Sequence, residues 1–427
     1  MKICVYGLWH QGAVAAACLA DAGFEVRGVD PSAVTAEALS RGKVPVFEPG
    51  LENLIKKGLR SGRLSFSPDL KDALKGADLL WGAFDTPVGS GDRPDGGSVE
   101  RKLRDAFRLL KPGQAVMISS HLPVGTARRL DRLARRGRNP LCCVPENLRL
   151  GSALRDFMRP ARIVAGTRDG RPAPRVEKVL GRLKAPIRWV GFESAEMAKH
   201  GLNAYLASSV AFANELARLC EATGADFREV EGALRSDPRI GRGAYLSGGL
   251  AFSGGTLGRD LRCLSDTARR AESGPSLWDG IRNSNRRHSD WLARRLLGRL
   301  FSARGKVIAF LGLTYKPGTD TLRRSGPLAL ARRLAAAGAE IRAFDPRLGV
   351  AEKIRGVRLC SSWREAARGA DAVVVAKNDG AFLGISPAAL RGAMRRPLVF
   401  DPARFLEETL GGASGVEYLS FGRGKGR

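Results

Sequence analysis

The stretch Ile3–Asp30, ICVYGLWHQGAVAAACLADAGFEVRGVD, sets the fold. An apolar run, Ile3–Tyr6, leads into a turn bounded by Gly7 and Gly12, then into an alanine-rich helical segment, and a second apolar run ends at Asp30. Strand, glycine turn, helix, strand and terminal acid is the arrangement that seats a dinucleotide pyrophosphate on a helix N-terminus and its adenosine ribose against the acid. Asp30 lies 18 residues past Gly12, and a carboxylate there favours NAD over NADP because it repels a 2′-phosphate. Trp9 occupies the middle glycine position, where glycine lets the backbone approach the pyrophosphate; an indole either swings aside or obstructs the cofactor. A βαβ turn that binds nothing is the structural alternative.

Outward from this unit, short apolar runs continue to alternate with amphipathic stretches, which predicts an α/β fold with a parallel sheet. The expected strands are Ile3–Tyr6, Phe24–Val29, Leu79–Ala83, Ala115–Ile118 and Leu141–Val144. A second set recurs at Val307–Leu311, Glu340–Phe344, Ala372–Val375 and Leu398–Phe400. Between them, Ser194–Thr223 carries Leu202, Leu206, Val210, Ala213, Leu216 and Leu219 at helical spacing, which predicts one long helix stopped at Gly224. The glycine-rich segment Asp237–Thr256 reads as a loop, and Asp260 as the opening of the next helix. The resulting domains are 1–190, 191–300 and 301–427, in keeping with a prior of about 150 residues per domain.

Composition narrows the class. With 44% hydrophobic residues, no apolar run near the roughly 20 that cross a bilayer, and a start directly on MKICVYG, the chain reads as cytoplasmic with no membrane partner. Seven cysteines without a CxxC pair argue against a disulfide framework and a structural zinc, so no metal is expected. A balance of 71 Lys+Arg against 43 Asp+Glu gives a net charge of +28, yet the arginines are spread over nearly every segment. That distribution fits solvated helix faces better than a nucleic-acid groove. The tail Gly422–Arg427, GRGKGR, reads as disordered.

Ala251–Asp260 reads AFSGGTLGRD. It resembles the active-site signature of the UDP-glucose/GDP-mannose dehydrogenases, usually Phe-Gly-Gly-Ser-Cys-Phe-Pro-Lys-Asp, with Thr256 at the place of the nucleophilic cysteine. Arg41–Leu51 (RGKVPVFEPGL), Thr86-Pro87 with Arg93-Pro94-Asp95, and Pro145–Ala153 (PENLRLGSA) are similar to further motifs of that family. So are the helix Ala195–Glu215, Asp237–Gly241 (DPRIG), Leu311–Asp320 (LGLTYKPGTD) and Arg342–Pro346 (RAFDP).

The resemblance implies two Rossmann-like doubly wound domains joined by a long central helix, a homodimer built around that helix, and NAD-dependent oxidation of a nucleotide sugar at C6 within polysaccharide biosynthesis. It implies that Gly7, Trp9, Gly12, Asp30 and Thr86 line the cofactor and that Arg239, Gly254, Gly255 and Lys316 take the substrate. Arg239 would reach the partner subunit's substrate, and Lys316 would enter the pocket from the C-terminal domain. Lys199 and Asn203 match a catalytic pair; four apart on one helix they share a face, from which ammonium and amide can hold a developing oxyanion. Asp260 matches an acid that positions water or acts as base, with helix capping as its structural role. Glu146 matches a glutamate that assists thioester hydrolysis.

The departures fall on chemistry. Thr256 replaces cysteine, Gly258-Arg259 replaces Pro-Lys, His121 in SSHLPVGT stands where the family has threonine, Leu150 replaces a glutamate, and Asp85 precedes Thr86 where glycine is usual. A thiolate captures an aldehyde and carries it to a thioester, whereas a threonine hydroxyl is a far poorer nucleophile without an adjacent base. Cys263 and a His121–Thr256 imidazole–hydroxyl pair are the two substitutes the sequence offers. The expectation is an NAD-dependent oxidoreductase acting on the C6 alcohol of a UDP-glucose-like sugar, which either stops at the two-electron aldehyde stage or completes the second oxidation through an aldehyde hydrate. The alternative is a catalytically silent homologue that binds nucleotide sugar as a sensing or scaffold subunit.

Overall fold

In the computed structural model, which describes residues 1–274 and 276–424, the chain divides into two compact units, Met1–Leu202 and Asn203–Arg427. The first holds eight strands: β1 (Lys2–Tyr6), β2 (Glu25–Val29), β3 (Leu64–Ser67), β4 (Leu79–Gly82), β5 (Ala115–Ile118), β6 (Leu141–Cys143), β7 (Ile163–Thr167) and β8 (Ile187–Gly191). They form one sheet in the order β3-β2-β1-β4-β5-β6-β7-β8. Only the β6–β7 pairing is antiparallel. The first six strands follow the doubly wound order, whose reversal between β1 and β4 leaves a crevice at the carboxyl ends of the strands.

Both faces of this sheet are covered at its centre, so β4, β5 and β6 are buried along their whole length. Ile3 and Val5 of β1 enter one hydrophobic cluster, while Cys4 and Tyr6 enter the other. Helix α1 (His10–Asp21) is buried from Gln11 to Ala20, and its run of alanines lets it lie close against the sheet. Helix α2 (Thr126–Arg136) follows β5.

Helix α3 (Phe192–Thr223), 32 residues long, begins in the first unit and ends in the second. It is the predicted central helix, and it stops at Gly224, whose φ of +84° is the left-handed conformation that ends helices.

The second unit adds α4 (Phe227–Ser236), α5 (Leu257–Arg270) and α6 (Leu277–Leu300). It also holds a second sheet of β9 (Val307–Leu311), β10 (Glu340–Phe344), β11 (Arg358–Leu359), β12 (Ala372–Val375), β13 (Leu398–Asp401) and β14 (Glu417–Ser420). This sheet is wholly parallel in the order β11-β10-β9-β12-β13-β14, the same doubly wound sequence. The α/β class and the two doubly wound sheets agree with the reading of the sequence.

Five strands escaped that reading. β3 alternates apolar residues with Ser over four residues, β14 has only Tyr418 and Leu419 between Glu417 and Ser420, β11 has two residues, and β7 carries a glycine inside a short run. β8 is only half-buried. Two local expectations are corrected. Asp260 does not open or cap its helix: α5 starts at Leu257 behind Thr256, and Asp260 lies inside the first turn. Gly422–Gly424 are not disordered, since Phe227 N–H donates to Gly422 O at 2.8 Å and Gly424 N–H to Ala225 O at 2.9 Å. Residues 425–427 lie outside the described residues.

Candidate active site

In the first unit four of the expected cofactor residues, Gly7, Trp9, Gly12 and Asp30, gather at the carboxyl ends of β1 and β2, while Thr86 follows β4. Gly7 has a φ of +96°, and a Cβ there would lie 2.7 Å from the Phe84 ring. At Gly12 a Cβ would lie 1.8 Å from the Gly7 carbonyl oxygen, so neither position admits a side chain. Trp9 differs: its φ of −71° suits any residue, and its indole stands 44% exposed. The carboxylate of Asp30 accepts from Leu8 N–H at 2.8 Å and Ser32 N–H at 3.0 Å.

These residues fit the pyrophosphate of a dinucleotide. Trp9 gives α1 no side-chain cap, no acid sits in the first turn, and the amide nitrogen of buried Gln11 has no partner among the described residues. The N-terminal N–H groups of α1 therefore remain for an anion. The second unit repeats the device with a different outcome. Gly312 (φ +93°) follows β9, and Asp345 accepts from Leu313 N–H at 2.8 Å, but Asp345 is also buried against Lys377 Nζ at 2.9 Å. Asp345 is thus committed to an internal ion pair, whereas Asp30 in the first unit accepts, among the described residues, only from backbone N–H groups.

Thr86, His121 and Glu146 come together on the loops after β4, β5 and β6. Buried Thr86 donates its hydroxyl to His121 O at 2.5 Å, so it ties two loops together. The His121 imidazole meets Glu146, with Nε2 3.2 Å from its carbonyl oxygen and 3.5 Å from Oε1. Next along, Asn147 Oδ1 accepts from Lys199 Nζ at 2.9 Å.

The sequence reading gave no role to Asn147, His10 or Glu48. Buried Glu48 accepts from His10 Nε2 at 2.9 Å, Gly151 N–H at 2.9 Å and Ala153 N–H at 2.8 Å, joining the cofactor turn to the Glu146 loop. Burial works to raise its pKa, but the three hydrogen bonds outweigh burial and hold the carboxyl below its usual range. The signal available in sequence was a glutamate inside the quoted EPGL run.

In the second unit, fully buried Asp260 receives Arg259 Nε at 2.9 Å on one oxygen and Asn203 Nδ2 on the other. Thr256 is half-buried at the N-cap of α5, and its hydroxyl makes no cap bond. The loop leading to it is held firmly. Asn214 Oδ1 accepts from Gly249 N–H at 3.0 Å, and Asn285 clasps Phe252 by both N–H and C=O at 2.9 Å. His288 Nε2 reaches Gly249 O at 2.7 Å, with Arg218 on its Nδ1 at 2.8 Å.

Gly254 (φ +84°) donates to Arg324 O at 2.9 Å, and a Cβ there would lie 2.5 Å from the Tyr315 ring; a Cβ on Gly255 would meet nothing nearer than Arg324 Cδ at 3.9 Å. Lys316 is half-buried on the β9 loop, where its carbonyl accepts from Thr319 at 3.1 Å. Arg239 is exposed and forks onto Asp237 at 3.0 and 2.7 Å.

Every cysteine is buried. Burial pushes the Cys263 thiol up to about 12, so it cannot supply a thiolate near neutrality. The notion of Cys263 as substitute nucleophile is thereby corrected. His121 belongs to the first unit and Thr256 to the second.

Residues 1–184 match the UDP-glucose/GDP-mannose dehydrogenase family, NAD binding domain; residues 193–287 match its central domain and 309–408 its UDP binding domain. UDP-glucose 6-dehydrogenase YwqF of Bacillus subtilis is 33% identical over 99% of this chain and 98% of its own length. The chain belongs to the UDP-glucose/GDP-mannose dehydrogenase family. UDP-glucose 6-dehydrogenase of Rhizobium meliloti is likewise 33% identical, over 99% of this chain and 100% of that protein. The solved UDP-glucose dehydrogenase of Pyrobaculum islandicum superposes with a TM-score of 0.87 at 28% identity, covering 98% of this chain and 96% of that one.

As a family member the chain is an NAD-dependent nucleotide-sugar dehydrogenase, with the glycine turn and Asp30 inside the NAD-binding domain and Lys316 inside the UDP-binding domain. Lys199, Asn203, Thr256 and Asp260 all fall in the central domain. No helix among the described residues is long and apolar enough to cross a membrane.

Proposed function

We propose that this dehydrogenase oxidises the C6 alcohol of a UDP-glucose-like nucleotide sugar and releases the aldehyde. The observation that carries the reading is an oxidation site without a thiol: Asp260 is held by Arg259 and Asn203, Thr256 stands at the head of α5, and all seven cysteines are buried. NAD, when bound, supplies the hydride acceptor. Asp260 takes or positions the C6 hydroxyl proton, and Lys199 with Asn203 stabilises the alkoxide. Thr256 can donate a hydrogen bond from the N-terminus of α5 but cannot form the thioester on which a second oxidation through covalent capture depends. Arg239 and Lys316 supply charge for the diphosphate, and Gly254 and Gly255 give the sugar close approach to backbone. Three functional segments follow, at 1–190, 191–300 and 301–427.

The fit to UDP-glucose first is supported by relatives named UDP-glucose 6-dehydrogenase. Purified protein is incubated with NAD and UDP-glucose, UDP-N-acetylmannosamine or GDP-mannose, while NADH and product are counted. One NADH per sugar consumed is the expected result. NAD binding with no NADH from any sugar would establish the silent, nucleotide-sugar-binding subunit instead.

We further propose a homodimer built on α3. Tyr205, Phe212 and Leu219 recur every seven residues on this helix and stand 69%, 53% and 60% exposed, an apolar stripe of the kind that a second copy covers.

A further inference from the structure

The N-terminal part of α3 does more than carry Lys199. Glu196, one turn before that lysine, is buried and accepts from Gly125 N–H at 2.6 Å and Ala127 N–H at 2.8 Å. These donors belong to the N-terminus of α2, where Gly125 is left-handed and offers no side-chain cap. Glu196 therefore caps α2 from outside. One turn further on, buried His200 places Nε2 3.0 Å from Leu122 O. The segment gripped between these bonds, Leu122 to Ala127, directly follows His121.

The contacts close a ring. From α3, Glu196 and His200 hold the loop after β5; that loop carries His121, which meets Glu146 on the loop after β6. Asn147 on the same loop returns to α3 through Lys199. Lys199, given a catalytic role above, and the candidate site residues His121 and Glu146 are thus spaced by one closed set of polar contacts within the first unit.

We propose that Glu196 and His200 are positioning residues that fix the His121 loop relative to Lys199, so that the catalytic groups are held at the separation the reaction needs. Neither touches substrate; they act through the backbone they hold, and small misplacements of reacting groups are costly to rate. The role rests on the proposed catalytic part of Lys199 and on His121 being a candidate site residue.

Burial raises the Glu196 carboxyl to about 7 against the opposing N–H bonds of Ala127 and Gly125. The groups that face it are His200 and Glu193 on α3, Arg128 on α2 and the Cys143 thiol on β6. Ionisation strengthens both acceptor bonds, so the grip tightens as pH rises through neutrality.

The test is Glu196→Gln, whose amide can accept only one of the two N–H groups, with His200→Leu as a second, independent opening of the ring. Backbone hydrogen exchange at Gly125 and Ala127 and the NMR titration of the His121 ring are read without turnover; kcat, KM and NAD Kd are read with it. Expected for Glu196→Gln are exchange at least tenfold faster at both amides, a displaced His121 titration, NAD Kd within twofold of the parent, kcat reduced about 10- to 100-fold, and loss of a pH limb near 7. His200→Leu is expected to move the His121 titration and kcat in the same direction. An undisplaced His121 titration with parental exchange in a folded variant would overturn the proposal. So would parental kcat and pH profile in both variants. If the parent protein itself makes no NADH, the reading of its function fails, while exchange and titration still decide whether the ring positions His121.

Discussion

Thr256 sits where a cysteine would be well served. It heads α5 on a loop fixed by Asn214, Asn285 and Gly254, and the unsatisfied N–H groups at a helix start lower the pKa of a thiol placed there. Thr256→Cys is therefore expected to install a nucleophile in a competent surrounding: the NADH formed per nucleotide sugar should rise from one towards two, with uronate replacing aldehyde in the product trace. A variant that binds NAD yet stays at one NADH would show that more than the thiol is missing, with Gly258, Arg259 and Leu150 as the next differences. Residue types carry the chemical reading only so far. Asp260, Lys199 and Asn203 could be picked out from motifs, but the ties that orient them could not. Glu48, Asn147 and Glu196 act through backbone N–H groups or a lysine 52 to 105 residues away, a juxtaposition no spacing encodes.

At the scale of elements, the loop before α5 owes its shape to His288 on α6. Its imidazole is buried against Trp291 and Phe421, donates to Gly249 and accepts from Arg218, which fixes the neutral form. Burial depresses its pKa to about 4, well below its unfolded value. A depressed histidine stabilises the fold fully above the unfolded pKa, and the contribution is lost as pH falls from about 6.5 to about 4. The stability advantage of the parent over His288→Gln should accordingly shrink by about 3 kcal/mol between pH 7 and pH 4. Urea midpoints of both proteins at several pH values measure it, and a difference constant with pH would refute the neutral, buried imidazole. The elements themselves were legible where periodicity was strong, as in α3 and the central strands of both sheets. Edge strands and the ordered Gly422–Gly424 segment were not, because their pairing partners, not their composition, hold them.

For the whole molecule, two doubly wound sheets share one device, a glycine after the first strand and an acid after the second, yet in the second copy that acid is ion-paired with Lys377. The exposed stripe Tyr205, Phe212 and Leu219 leads to a prediction at this scale. Phe212→Glu should convert the proposed dimer to a monomer in light scattering, because a charge at the centre of an apolar interface is left unpaired; an unchanged mass would contradict a dimer built on α3. The central claim is that oxidation ends at the aldehyde. It is tested most directly by letting the protein exhaust a limiting nucleotide sugar with excess NAD and treating the quenched products with hydroxylamine afterwards. One NADH per sugar and an oxime in the mass spectrum are the expected result; two NADH per sugar and a uronate would contradict it.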